Sequence, residues 1–332
     1  MAHQDKLVGL MNYLVTGGAG FIGSHFVRLL LSQPVESVEK VTVLDKFTYS
    51  GNPQNLTEFN DDPRFRVIRG DICDEEMVNQ VLRGHDIVVH FAAESHVDRS
   101  ISTSRPFFST NVLGTQTLLE VSRQHHISTF VHVSTDEVYG SIDVGSWTED
   151  EPLLPNSPYS ASKASSDLVA RAFHKTYGMD IRITRCSNNF GTHQYPEKLI
   201  PLFITNLIDG KKVPLYGDGQ NVRDWLHVED HCQGILMVAL GGSPGEIYNI
   251  GGGTELSNFE ITRLILDAFN KSEEWIERVE DRLGHDRRYS VDWSKMHKEL
   301  GYVPQRSLAD SLGATIDWYT SNEKWWRPLK NR

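Results

Sequence analysis

Cysteine is scarce, with three in 332 residues. Cys73, Cys186 and Cys232 stand far apart and form no C-x-x-C pair. That excludes a disulfide scaffold, gives no local zinc or other metal motif, and points to a reducing compartment. No apolar run reaches the roughly 20 residues that a membrane span needs. Basic residues are in deficit, 33 Lys and Arg against 44 Asp and Glu, for a formal charge of −11. This balance argues against a general nucleic-acid or anionic-membrane binder, yet leaves room for a local pocket that takes an anion. The opening MAHQDKLVGL lacks the apolar core and cleavage tail of a signal peptide, so residues 1–10 read as a flexible extension. With 39% hydrophobic and 23% charged residues, the remainder fits a soluble, cytoplasmic enzyme of about two domains.

What is present is a rhythm of short β-branched runs, each followed by a helical pattern. Strands are expected at Tyr13–Thr16, Val41–Leu44, Phe65–Ile68, Ile87–Phe91, Phe130–Ser134 and Ile181–Thr184. VTVL and IVVHF show no polar alternation, so both faces of those strands should be covered. That is the pattern of an α/β, Rossmann-type doubly wound parallel sheet. After about Asn188 the texture changes to Gly-, Pro- and Asn-rich loops between shorter elements. Residues 11–187 are therefore expected to form mainly a dinucleotide-binding domain. Residues 188–332 should form mainly a smaller α/β substrate region, with the chain free to cross between the two. The tail EKWWRPLKNR is basic and aromatic; packing of Trp325 and Trp326 at the surface of the fold is favoured over an RNA contact.

Directly after the first strand, Gly17, Gly20 and Gly23 form G-x-x-G-x-x-G, with Phe21 and Ile22 between them, opening the helical run Ser24–Leu31. Such glycines permit a tight turn and close approach of a pyrophosphate, which the helix N-terminus then receives. The second strand ends in Asp45-Lys46. An acidic residue here accepts from ribose hydroxyls and repels a 2′-phosphate, which favours NAD over NADP. Lys46 softens that preference, and a mere strand cap is the plainer alternative. Asp71 and Ile72 follow the third strand within reach of an adenine, although a turn aspartate would look the same. Phe91, Ala92 and Ala93 follow the fourth strand, at the sheet edge where a dinucleotide lies.

Tyr159 and Lys163 stand four apart on one expected helix face, with Pro158 in the first turn. A nearby ammonium should lower the phenol's pKa toward a useful base. Asp136 and Glu137 follow the Ser134-Thr135 strand end; a carboxyl pair supplies an acid and a base when surroundings push their pKa values apart. Adjacent residues on a regular strand face opposite ways, so both can reach one substrate only if the chain leaves extended geometry there.

With TGGAGFIGSH, FAAESHVDRSI, VSTDEVYG, YSASKASSD, CSNNFG, PEKLIP, NVRDWLHVEDH and DRLGHDRRY, the chain resembles the extended short-chain dehydrogenases/reductases from about Met11 onward. Among them it is most similar to nucleotide-sugar 4,6-dehydratases of the dTDP-glucose type. Sugar 4-epimerases lack the carboxylates after the fifth strand. GDP-mannose dehydratases and UDP-glucuronate decarboxylases typically have Ser where Asp136 stands. Departures from the family pattern are Leu283 for a frequent Pro, Phe190 for a common Tyr, and the variable His193 and Tyr195.

The resemblance implies a bound NAD and dTDP-glucose as substrate. Tyr159, helped by Lys163 and Thr135, takes the C4 hydroxyl proton as hydride leaves C4. Glu137 removes the C5 proton, Asp136 protonates the leaving C6 hydroxyl, and the hydride returns to C6. With no net redox change, the cofactor is expected to be retained. By the same resemblance Ser95 and Asn188 contact the sugar nucleotide, while Thr110 and Asn189 contact the cofactor. Lys198, Leu199, Pro214, Leu215 and Tyr216 resemble a nucleotide clamp, with Arg223, Asn258, Arg282 and His285 near the diphosphate or base. His96 is expected to orient neighbours rather than act as a base. A homodimer is expected through the apolar-periodic runs around Phe107–Val121 and Ala164–Phe173. Epimerase and decarboxylase chemistry on UDP- or GDP-sugars, and a non-catalytic NAD sensor, are the alternatives.

Overall fold

The computed structural model describes residues 10–330, so the expected flexible extension lies, apart from Leu10, outside the described residues. The first half alternates strand and helix: β1 (Met11–Thr16), α1 (Phe21–Ser32), β2 (Val38–Asp45), β3 (Phe65–Arg69), α2 (Glu75–Val81) and β4 (Ile87–His90). Next come α3 (Val97–Ser102), the single turn α4 (Arg105–Phe107), a π-helical stretch Phe108–Gly114, α5 (Thr115–Gln124), β5 (Thr129–Thr135), α6 (Pro158–Tyr177) and β6 (Ile181–Cys186). The second half holds β7 (Asn188–Phe190), α7 (Leu199–Ile208), β8 (Val213–Tyr216), β9 (Val222–His227), α8 (Val228–Gly241), β10 (Ile247–Ile250) and β11 (Glu255–Ser257). It ends with α9 (Asn258–Ala268), β12 (Ile276–Val279), α10 (Ser294–Leu300), α11 (Leu308–Ser321) and α12 (Glu323–Lys330).

Seven strands form one parallel sheet in the order β10-β6-β5-β4-β1-β2-β3. The order reverses between β1 and β4, the switch point where such sheets open a ligand crevice at their carboxyl ends. The uninterrupted apolar strands are covered on both sides as expected. Val41, Val43 and Val89 pack with α1 and α8 residues on one face, and Leu44 and Val88 pack with α2 and α5 residues on the other. Every residue of β4 and β5 is buried.

The seventh strand, β10, comes from the C-terminal half and was not foreseen. IYNI is four residues long and carries an Asn, so no apolar run marks it. Asp224 binds this return crossing: its carboxylate accepts from Ser187 Oγ at 2.7 Å, Gly252 N at 2.8 Å and Thr254 N at 2.8 Å. A separate core is built from α7, α9, α11 and α12 with β9, while α8 and α10 pack on the large sheet. The two tail tryptophans serve that core. Trp326 is fully buried rather than at the surface, and Trp325 packs edge-on to Trp318. Among the described residues no helix is long and apolar enough to cross a membrane.

Beneath the sheet's carboxyl end lies a buried charge network. Asp167 of α6 accepts from Arg185 Nε of β6 at 2.9 Å and lies 3.2 Å from His132 Nε2 of β5. Burial alone would raise this carboxyl, but Arg185 and the His132 and Ser134 hydrogen bonds outweigh it and bring it down to about 2. A carboxyl depressed in the folded state stabilises above its unfolded pKa, and that contribution fades as pH falls toward 2. Asp167→Ala leaves Arg185 buried without its charge partner. It should cost about 3–5 kcal/mol in a urea titration at pH 7, with the gap to wild type narrowing in acid.

Candidate active site

The crevice at the switch point is built by the ends of β1, β2, β4, β5 and β6. Gly17 leaves β1 with φ +70°, and a Cβ there would sit 2.6 Å from Ala92 N, so only glycine lets the two strand ends meet. Helix α1 then starts at Gly20 without a side-chain cap or an acidic residue in its first turn. Its free N–H groups make an anion cradle at the cleft floor. Gly20, Phe21, Ile22 and Gly23 all line the cleft, as do Asp45, Lys46, Asp71, Ile72, Phe91, Ala92, Ala93 and Thr110.

Asp45 is both wall and cap. Its oxygens accept from Ala19 N at 3.0 Å and Phe47 N at 2.7 Å, and burial raises its carboxyl. Lys46 is engaged by Asp71 at 2.6 Å, which leaves its charge less available to a 2′-phosphate. The residues present fit a dinucleotide without that phosphate.

At the other end of the cleft, β5 stops at Thr135 and turns at once into a 3₁₀ turn, Asp136–Tyr139. Glu137 N donates to Thr135 Oγ1 at 3.4 Å, capping that turn. Gly140 closes it at φ +82°, where a Cβ would lie 2.4 Å from Leu154 O. This turn meets the geometric requirement raised by the strand, because Asp136 and Glu137 both line the cleft. Helix α6 presents Tyr159 and Lys163 to the same space, its N-terminus capped by Ser157 and opened by Pro158.

Asp136 is buried and is pushed well above the usual range, first by desolvation and then by the Glu137 charge. That direction suits a proton donor. The expected lowering of the Tyr159 phenol by Lys163 is corrected by the structure. Burial pushes the phenol well up and the Glu137 charge adds to it, while the Thr135 hydrogen bond opposes. Lys163 is fully buried, its ammonium is pushed down by desolvation, and its Nζ donates to Val133 O at 2.8 Å. Buried oxygens on cleft-lining residues, Asp136 Oδ2, Asn188 Oδ1 and Gln194 Oε1 among them, have no hydrogen-bond partner among the described residues. Acceptors left so are placed for a ligand's donors.

The expected substrate contacts divide. Ser95, Asn188 and Lys198 line the cleft, Asn189 with them, and Lys198 Nζ reaches across to Ser95 O at 3.0 Å. Leu199, Pro214, Leu215, Tyr216, Arg223, Asn258, Arg282 and His285 are not part of that wall. Tyr216 OH donates to Asp98 Oδ2 at 3.3 Å, Arg282 lies 4.0 Å from Asp98, and His285 edges onto the Tyr216 ring. Leu215 is turned inward on the opposite face of β8 and is 1% exposed, so it offers a nucleotide only backbone. Leu199 starts α7 against the second core, and Asn258 is buried at the start of α9. Arg223 is held by the Val222 and Asp286 carbonyls and by stacking on Tyr289 at 4.3 Å. His96 caps α3, lies 3.6 Å from Glu197, and is pushed down to about 4 by burial and the Lys198 charge, which suits an orienting group. Sequence reading missed Gln194, Glu94 and Cys186 in the cleft wall, because no pattern distinguishes them from core or loop residues.

The sequence profile of the family described as GDP-mannose 4,6 dehydratase matches residues 14–315. The chain belongs to this family. Within the family, a dTDP-glucose 4,6-dehydratase from Actinoplanes sp. is 56% identical over 319 residues, spanning 95% of this chain and 100% of the relative. Another from Streptomyces antibioticus is 57% identical over 325 residues, 97% of this chain and 96% of its own. The crystal structure of DesIV, a dTDP-glucose 4,6-dehydratase from Streptomyces venezuelae with NAD and TYD bound, matches with a TM-score of 0.94. It shares 59% identity and covers 96% of this chain and 100% of that one.

A buried acid whose folded pKa is raised loses stability as pH climbs through that value. Asp136→Asn keeps an acceptor for Thr135 Oγ1 and carries no charge to bury. It should raise unfolding stability at pH 8 by roughly 1–3 kcal/mol, with the gain vanishing near pH 4, as thermal melts at the two pH values would record.

Proposed function

We infer that the chain is a dTDP-glucose 4,6-dehydratase, an NAD-dependent hydro-lyase that forms dTDP-4-keto-6-deoxyglucose and water. The observation that carries this is the 3₁₀ turn holding a protonated-acid candidate, Asp136, beside Glu137 and opposite Tyr159 in one cleft. An epimerase has no use for that carboxyl pair, and a sensor has no use for any of the three.

When bound, NAD supplies a hydride acceptor that is regenerated within each turnover, and in its oxidised form a positive charge within the cleft. Added positive charge is what the high Tyr159 phenol needs to become a base. Tyr159, hydrogen-bonded to Thr135, takes the C4 hydroxyl proton as C4 is oxidised. The ketone acidifies the neighbouring C5–H, and Glu137 accepts that proton. Asp136 gives its proton to the C6 hydroxyl, which leaves as water, and C5 is reprotonated after C6 is reduced. Lys163 holds the end of β5 and helps the phenol. Asn188, Ser95 and Lys198 receive the sugar nucleotide, Asn189 and Thr110 the cofactor, and Arg282, Tyr216 and His285 the outer nucleotide. In this division the large sheet serves the cofactor and the smaller region the nucleotide.

Purified protein given dTDP-glucose without added cofactor should yield a product lighter by one water, with no accumulated NADH, as mass spectrometry and absorbance would record. Glu137→Gln should lower kcat by roughly 10²–10⁴-fold. No product even with NAD supplied would overturn the substrate assignment.

The proposal extends to assembly and compartment. Phe108, Leu113 and Leu168 are exposed on the π-helical stretch and α6, which pack on each other, and this face suits a second copy of the chain. All three cysteines are unpaired, which suits the cytoplasm. Light scattering should give twice the chain mass for the wild type and a single chain for Leu113→Glu with Leu168→Glu.

A further inference from the structure

Glu137 has a partner that the motif does not assign. Ser160 Oγ donates to Glu137 Oε2 at 3.1 Å. Ser160 is fully buried, and its hydroxyl lies 2.7 Å from Ser157 Oγ, the N-cap of α6. The backbone N–H of Ser160 donates to that same Ser157 oxygen at 3.1 Å. Two hydroxyls in series therefore connect the carboxylate to the first turn of the helix that carries Tyr159 and Lys163.

We propose that Ser160 is a positioning residue for C5 deprotonation, aiming the Glu137 carboxylate at the sugar from the same helical turn that aims the Tyr159 phenol. The inference deepens the dehydratase reading above and rests on it. A hydroxyl donor fixes one lone-pair direction of the carboxylate and leaves the others to receive a proton. The proton moves from C5 to Glu137, and Ser160 keeps its own. Because oxidation at C4 and abstraction at C5 must act on one sugar pose, misplacing Glu137 by even an ångström slows the second step while sparing the first.

The test is Ser160→Ala. The Ser157 cap survives in that variant, since its partner is a main-chain N–H. Expected are a kcat about 10- to 100-fold lower, the size of a lost hydrogen bond to a charge, and a KM for dTDP-glucose within about twofold. An NADH absorbance absent in the wild type should appear during turnover, because C4 oxidation now outruns elimination. Ser160→Thr, which restores the hydroxyl, should recover most of kcat. A Ser160→Ala enzyme with wild-type kcat, or one slowed without any NADH signal, overturns the inference. Should Ser160→Ala fail to fold by circular dichroism, Ser160→Cys carries the same comparison with a weaker donor. Wild-type protein that forms no product removes the dehydratase reading itself; product formation with an indifferent Ser160→Ala removes only this inference.

Discussion

The carboxylate of Asp167 is the constraint on which the site depends. It joins α6 to β6 through Arg185, and β5 through His132. Arg185 passes the connection on: its Nη1 donates to Tyr139 OH at 2.8 Å, and that hydroxyl donates to Asn249 Oδ1 of β10 at 2.9 Å. One buried charge thus registers the helix carrying Tyr159 and Lys163 against the turn carrying Asp136 and Glu137. Buried pairs contribute little net stability against an apolar isostere, so here fixed geometry is the gain.

That registration gives the two neighbouring carboxyls different surroundings. Asp136 is fully enclosed and burial pushes its carboxyl up, whereas Glu137 receives a hydroxyl donor from Ser160. The arrangement is uncomfortable for the fold. A carboxyl, a phenol and an ammonium are all desolvated within one cleft, and several wall oxygens go without partners among the described residues. Such local discomfort is retained where a ligand relieves it.

The smaller region matters through two joints. Asp224 pins the chain where β6 ends and where it leaves β10, so the second region cannot drift from the sheet edge. Lys198, bonded to Ser95 O, spans the cleft itself. The outer group around Asp98, Tyr216 and Arg282 repeats the bridging farther out, joining α3 to β8 and the loop before His285.

Much was legible from the chain alone. Six strands, the glycine turn after β1, the cleft wall at Asp45, Asp71 and Phe91, and the Tyr159–Lys163 pair follow from short-range rules, because strand period, helix spacing and turn sterics are local properties. The family resemblance likewise rests on contiguous motifs. Other features were decided only in three dimensions. β10 has too little sequence to announce itself and is recognised only by its parallel pairing with β6. Trp326 looks like a surface aromatic until α11 and α12 enclose it. The Tyr159 phenol was expected to fall beside Lys163, yet desolvation and the Glu137 charge, brought close only by the fold, drive it up. Ser160 is an unremarkable serine until the turn after Thr135 swings Glu137 against it. The sequence determined which groups are available and on which elements they ride; their burial and their partners, and hence their protonation, belong to the tertiary structure, because those depend on distances between residues far apart in the chain.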